Sequence, residues 1–426
     1  MCPQKIIFQN CNILEVESGD TLRNATIIVE DTNIAKVGKI HTPTETDYEV
    51  IDMNGLWAMP GLIDLHAHVC EETNPFIPFD NFETDEPEFF TGARVERNLK
   101  ETIRQGVTTI RDLGAISARN ILARKAVEKK IISGPRIFAC GHLITYPAGH
   151  LHKCGIQARG TDEVRRAVQR NVDLGANVIK VTNDPQDVEA RSQNSGDPTF
   201  THEEFSALVD EAHSHNLKVA CHTYPSIQGI TNAMNAGVDT LEHAVPLNEY
   251  LLERFIREQI IVVPTFVAAY DEYSTEVFAE KIRGDVEHLR KYDTINYPKG
   301  SLSHLRPNGI PVSIQEWCEY LVKYLPIAIR NGVCIGIGSD AGCAGTNFRS
   351  ALREMFLLTQ VGATNLQVIQ YATLNGAKAV GLDGKLGKIS ANYLADIIFT
   401  PDNPADSLDF LLDIKSVYTN GVFLTN

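Results

Sequence analysis

The sequence predicts an α/β fold: a (β/α)8 barrel over residues 58–382, with a small β-sandwich domain formed by both termini, residues 1–57 and 383–426. Three observations predict it. From about residue 60 to residue 340, eight short apolar segments alternate with stretches of helical periodicity, the pattern of βα units around a parallel sheet. Both ends of the chain carry short strand-like runs separated by turn residues, so a sheet shared by the termini would close the small domain. The 426 residues also exceed the ~250 that one such barrel uses.

Composition bounds the function. With 43% hydrophobic and 22% charged residues, the chain is an ordinary globular sequence, and disordered and fibrous classes drop out. A net charge of −15 argues against nucleic acid and anionic membranes as partners, because both attract clustered Lys and Arg. No apolar run approaches the ~20 residues of a membrane span, and Met1-Cys2-Pro3-Gln4-Lys5 leads into a strand-like run instead of a signal-peptide core. A cytoplasmic location is expected. The nine cysteines contain no C-x-x-C pair, which suits reduced thiols. Cys70, Cys221 and Cys343 lie close to candidate site residues but read as small packing residues. The expected partner is a small-molecule substrate, and the chain is expected to form a homo-oligomer.

Taken in order, Lys5-Ile6-Ile7-Phe8, Ala25 to Val29 and Ile34 to Val37 read as strands of a small antiparallel sheet, punctuated by Gly19-Asp20 and Asp31-Thr32-Asn33. Ala395 to Phe399 and Val417 to Leu424 resemble them, the second holding an Asn420-Gly421 hairpin signal. The candidate barrel strands are Leu62–His66, Val107–Asp112, Arg136–Cys140, Asn177–Thr182, Lys218–His222, Thr240–His243, Ile261–Thr265 and Val333–Ser339. Thr201-His202-Glu203-Glu204 fits a capping box, and Phe205, Leu208, Val209 and Ala212 then share one helix face. His213 and His215, at that helix's end, read as solvated. Two connections are long. Residues 69–93 carry Glu71, Glu72, Asp80, Glu83, Asp85, Glu86 and Glu88 among five phenylalanines, and residues 268–315 follow the seventh strand. Such loops serve as lids or as oligomer contacts.

The chemistry gathers at strand ends. Residues i and i+2 of a strand point the same way, so His66 and His68 can face one metal ion. Two histidines at that spacing also occur on half-exposed strands. Here, however, Lys180 lies on the fourth strand, His222 ends the fifth, His243 ends the sixth and Asp340 follows the eighth. In such a barrel the catalytic side chains sit at these C-terminal strand ends. A core alone would not supply partners for six such groups on one face.

This series, His-x-His, Lys, His, His and Asp on strands one, four, five, six and eight, resembles the amidohydrolase superfamily over nearly the whole chain. Ala372 to Leu382 and Ala395-Asp396-Ile397 resemble its closing segment. At Ala391-Asn392-Tyr393 the glycine usual before the Ala-Asp pair is missing, which touches only a turn. The resemblance implies two divalent metal ions, zinc foremost, and a CO2-derived carboxylation of Lys180. It further implies that His66, His68 and Asp340 hold the more buried ion, His222 and His243 the more exposed one, and that carboxylated Lys180 bridges. Asp340 would take a proton from the attacking water and pass it to the leaving amine. Without carboxylation, Lys180 would be a barrel-interior lysine paired to a carboxylate.

His222 is followed by Thr223-Tyr224-Pro225, lacking the His-x-x-Glu usual in the superfamily's deaminases, so amide hydrolysis is the expected reaction. Gly134 to His150 and His222-Thr223-Tyr224 resemble the branch of Xaa-Pro and Xaa-Arg or Xaa-Lys dipeptidases and carboxypeptidases. That resemblance implies that His150 and Tyr224 contact substrate, with His142 and His152 competing for the first role. The expected substrate is a dipeptide or N-acyl amino acid, and the acidic first loop would favour a cationic side chain. A hydantoinase-like or imidazolone-ring hydrolase is the rival enzyme reading. A non-catalytic scaffold would have lost ligands, and none is missing.

Overall fold

The computed structural model describes residues 5–41, 47–71, 86–183, 200–223, 227–244, 247–273, 312–343 and 346–425. Five strands open the chain: β1 (Lys5–Leu14), β2 (Thr21–Glu30), β3 (Asn33–Gly38), β4 (Glu49–Asp52) and β5 (Trp57–Pro60). Nine follow in the middle: β6 (Leu62–Ala67), β7 (Val107–Asp112), β8 (Arg136–Ala139), β9 (Ile144–Thr145), β10 (Ile156–Gln157), β11 (Ile179–Thr182), β12 (Val219–His222), β13 (Thr240–Glu242) and β14 (Ile261–Val263). The last three are β15 (Ile397–Thr400), β16 (Ser416–Thr419) and β17 (Val422–Thr425).

Strands from the two ends hydrogen-bond into one eight-stranded sheet, in the order β17-β16-β15-β5-β1-β2-β3 with β4 also on β1. The sheet is mixed where the sequence suggested an antiparallel one, because β1 runs parallel to β4 and to β5. Register shifts around Cys11 let the first half of β1 pair β4 and the second half pair β5. A bulge of this kind bends a strand. Phe8 then packs on Phe399 and Tyr418, with ring centroids 5.2 and 4.7 Å away.

The middle strands are parallel throughout, in the orders β6-β7-β8 and β10-β9-β11-β12-β13-β14. Seven of the eight expected strands form ladders, with ends shifted by a residue or two. The eighth does not. Its segment touches β14 through one bridge, Val262 to Ile335, and β6 through another, Ala67 to Ala341. Glycine accounts for this. A Cβ at Gly338 would lie 2.4 Å from Val263 Cγ1, and one at Gly336 2.5 Å from Leu65 Cδ1, so the segment wedges closely between two strands at the expense of regular pairing. No single closed ladder runs through the described strands. Arg136 at the start of β8 reaches Asp396 beside β15 at 2.7 Å, which ties the parallel layer to the terminal sheet.

The helices form for legible reasons. In His202–Ser214, Thr201 accepts from the Glu204 amide while the Glu204 carboxylate accepts from the Thr201 amide, and Phe205, Leu208, Val209 and Ala212 are buried. His213 at its end is half exposed and lies 2.9 Å from Asp239. Residues 72–85, holding much of the acidic first loop, and most of the 268–315 connection lie outside the described residues. Among the described residues no helix is long and apolar enough to cross a membrane.

The hairpin between β16 and β17 turns at Asn420 and Gly421, both left-handed at φ 49° and 75°, as a two-residue turn of this type requires. A Cβ at Gly421 would meet Val29 Cγ1 at 2.9 Å. Gly421→Ala is expected to lose about 1–2 kcal/mol of stability, read as a lower urea midpoint at unchanged slope. An unchanged midpoint would show that the hairpin tolerates a side chain.

Candidate metal centre

Strands β6, β11, β12 and β13, with the residues just after β6 and β13 and the segment that ends at Asp340, deliver the site. His66, His68, Lys180, His243 and Asp340 are buried and His222 is half-buried. Backbone hydrogen bonds fix their relative height: Asp340 N–H donates to His66 O, His68 N–H to Ala341 O and His243 N–H to Val263 O, each at 2.8 Å. His243, Thr265 and Asp340 adopt left-handed backbone at φ 65°, 45° and 54°. For residues with a Cβ this conformation is strained, and it persists only where the surroundings enforce it.

The imidazoles form a chain of contacts. Ring centroids lie 5.5 Å apart for His66 and His68, 5.0 Å for His66 and His243, and 4.4 Å for His243 and His222. His150 stacks on His222 at 4.4 Å with a 21° interplanar angle. His152 instead turns its Nδ1 to Gly149 O at 3.1 Å, and the His142 backbone is held by Asn171. Of the three competitors, His150 is the one whose ring lies against a candidate ligand. Tyr224 lies outside the described residues.

Each inner ring is oriented from behind. His66 Nδ1 lies 2.9 Å from Glu242 Oε2, and His68 Nδ1 3.0 Å from Gly114 O. Both oxygens can only accept, so these nitrogens carry the protons. His243 Nδ1 lies 2.6 Å from Thr265 Oγ1, whose own proton goes to Pro264 O at 2.8 Å, so Nδ1 is the donor there too. In the neutral rings of His66 and His243 this leaves Nε2 with its lone pair. Burial, helped for His66 by the Lys180 charge and for His243 by His66, pulls their pKa values down to about 4 and about 3. Both rings are therefore neutral near pH 7, the form that binds a metal. For His68 burial works the same way, but the Asp340 carboxylate outweighs it and raises the pKa. Burial alone would raise Asp340; the surrounding imidazoles, His66 first, hold it well below the usual carboxylate range.

These donors suit a divalent ion. Asp340 Oδ1 lies 3.4 Å from both His66 Nε2 and His68 Nε2, close to the ~3.3 Å ligand-to-ligand edge of a tetrahedron with ~2.05 Å bonds. Donor atoms of His66, His243 and Asp340 all fall within 4.8 Å of one another. His243, expected with His222, thus also reaches the His66 and Asp340 group. Lys180, on β11 beside Ala220 of β12, is buried, and burial lowers its pKa against the opposing pull of Glu242 and Asp340.

Several functional neighbours escape sequence reasoning. Arg111, fully buried, donates to Leu65 O at 2.6 Å, Thr240 Oγ1 at 2.9 Å and Glu242 Oε1 at 2.7 Å. Burial would raise Glu242, but the Arg111 guanidinium foremost keeps it ionised, well below the usual carboxylate range. Asp64 accepts from Ser339 Oγ at 2.5 Å and from the amides of Ser339 and His66, and burial lifts it to about 6. A charged residue inside an apolar strand, as in Thr109-Ile110-Arg111-Asp112, is the sequence signal that points to such a network. Cys343, read as packing, has its thiol within 4.8 Å of donors on His68 and Asp340.

The chain is similar to several known proteins. Ochratoxinase of Aspergillus niger is 27% identical over 446 aligned positions, covering 97% of this chain and 85% of that protein. A crystal structure of a Xaa-Pro dipeptidase with bound methionine in its active site superposes with a TM-score of 0.81 at 23% identity, over 99% of this chain and 100% of that one. Imidazolonepropionase of Acinetobacter baumannii is 35% identical, but over 79 residues and 18% of this chain. Residues 57–424, which hold every candidate ligand, match the amidohydrolase family, and the chain belongs to that family of amide-bond hydrolases.

Proposed function

We propose that this protein is a metal-dependent hydrolase that cleaves the amide bond of a dipeptide or N-acyl amino acid. The observation that carries the proposal is the convergence of His66, His243 and Asp340 donors within 4.8 Å, with His68 Nε2 at 3.4 Å from the same carboxylate. In this reading the parallel strands close into an eight-stranded barrel through the 334–340 segment, and the terminal sheet folds into a small sandwich about Phe8. Two divalent ions, zinc foremost for this nitrogen and oxygen donor set, supply Lewis acidity to the attacking water and the scissile carbonyl when bound.

The chain's own residues do the rest. Burial favours the neutral amine of Lys180, the form that adds to CO2: an N–C bond forms, one N–H proton leaves, and a carbamate with two oxygen donors results. His66, His68, His222 and His243 would offer ring nitrogens to the ions. Asp340, kept ionised, accepts a proton from the attacking water at its carboxylate and returns it to the leaving nitrogen. His150, stacked on His222, stands at the outer side of the ring chain, where it and Tyr224 would meet the substrate carboxylate.

The likeness to a Xaa-Pro dipeptidase and to ochratoxinase over nearly the full chain supports this substrate class over a ring substrate. The likeness to imidazolonepropionase, which would favour a ring substrate, spans only 18% of this chain. Turnover of a dipeptide and N-acyl amino acid library, screened beside hydantoins and imidazolones on metal-loaded protein, separates the two. Asp340→Asn is expected to lower kcat on the best substrate by about 1,000-fold. Turnover confined to ring substrates, or an Asp340→Asn enzyme of normal kcat, would overturn the proposal.

A further inference from the structure

Asp340 is followed by a tight turn that faces the candidate metal centre with a sulfur atom. Gly342 sits at φ 100°, and a Cβ there would lie 2.5 Å from His68 O and 3.1 Å from His68 Cβ. Only glycine lets the turn press this closely on the first strand end. The Cys343 amide donates to Asp340 O at 3.1 Å, the Thr346 amide donates to Cys343 O at 3.2 Å, and the Thr346 hydroxyl is shared between Asp340 O and Cys343 O. The backbone that carries the thiol is therefore fixed by hydrogen bonds, and the sulfur lies within 4.8 Å of donor atoms on His68 and Asp340.

We propose that Cys343 is a metal ligand, and that His68, Asp340 and Cys343 form a mixed nitrogen, oxygen and sulfur donor set selective for a thiophilic divalent ion such as Cd2+, Zn2+ or Co2+. This rests on the reading above that His68 and Asp340 hold a metal. On binding, the sulfur gives an electron pair to the ion and the thiol proton passes to solvent, with no change of oxidation state. The thiolate is the softest donor of the group, so it shifts preference from Mn2+ and Mg2+ toward ions that bind sulfur. Asp340 belongs to both donor groups, so an ion drawn toward Cys343 competes for the carboxylate that the hydrolytic reading assigns to proton transfer. In the absence of metal, the thiol lies against Asp340, where burial first and then the Asp340 charge keep it protonated.

The test uses full-length protein stripped with a chelator and titrated with Co2+ or Cd2+. The readouts are thiolate-to-metal charge-transfer absorption and metal content per chain. The wild type is expected to show the band, and Cys343→Ser to lose it while still binding metal, with its preference for Cd2+ over Mn2+ reduced at least ~10-fold. Metal bound by wild type without a charge-transfer band, or a band that survives in Cys343→Ser, would overturn the role of Cys343 and leave the histidine and aspartate centre standing. Wild type that takes up no metal at all would overturn both. His68→Asn serves as the control, expected to weaken metal uptake whether or not sulfur takes part.

Discussion

Lys180→Ala is expected to lower kcat/KM for amide hydrolysis by at least about 1,000-fold, equivalent to about 4 kcal/mol of transition-state stabilisation. The size of the effect follows from what the side chain would supply. Lys180 is buried on β11, and the charges that face it belong to Glu242, Asp340 and Arg111. An alanine removes the bridging donor and leaves a cavity bordered by imidazoles. Metal content should fall with activity, and added formate or acetate should restore part of both, because a free carboxylate can occupy the space the carbamate would fill. Full activity and metal content in Lys180→Ala would instead leave Lys180 as a barrel-interior cation paired with Glu242.

Arg111→Met is expected to give the largest loss of stability. Arg111 and Glu242 form a fully buried pair at 2.7 Å, and removing one member of such a pair costs about 3–5 kcal/mol because the other charge is left uncompensated. For a chain of 426 residues that corresponds to a drop in Tm of about 3–6 °C. Since Glu242 also accepts the His66 Nδ1 proton, the same change should loosen the ring that presents Nε2 and lower metal affinity. Adding Glu242→Gln to Arg111→Met removes the stranded charge and should recover part of the lost Tm without restoring metal affinity. A double variant no more stable than the single one would show that the loss comes from packing of the long side chain.

The sequence was most legible where a residue type and a local period suffice. The capping box at Thr201 and Glu204, the Asn420-Gly421 turn, and seven of the parallel strands all follow from short-range chemistry. His66, His68, Lys180, His222, His243 and Asp340 can be nominated because each lies in or just after a short apolar run, and because their order along the chain resembles a known family. The eighth expected strand forms only isolated bridges because Gly336 and Gly338 serve close packing, which no propensity encodes. The parallel pairing of β1 with β4 and β5 depends on a bulge at Cys11 that breaks the simple alternation. The partnership of Arg111 and Glu242 joins positions 131 residues apart, which no short-range pattern encodes. Cys343 reads as packing in the sequence, and its neighbourhood with His68 and Asp340 joins segments about 270 residues apart, which no local pattern encodes.

The terminal sheet has a consequence for synthesis. β5 lies between β1 and β15, and Thr400 reaches back to Trp57 across 343 residues. At ~5–20 residues per second, β5 waits on the order of 20–70 s for its second neighbour to leave the ribosome. Throughout that interval an apolar edge, Trp57-Ala58-Met59, stands open directly upstream of the strand that carries His66. An open edge of this kind recruits other strands, so the yield of folded enzyme in the cell should depend on translation rate and on chaperones that shield the nascent N-terminal strands.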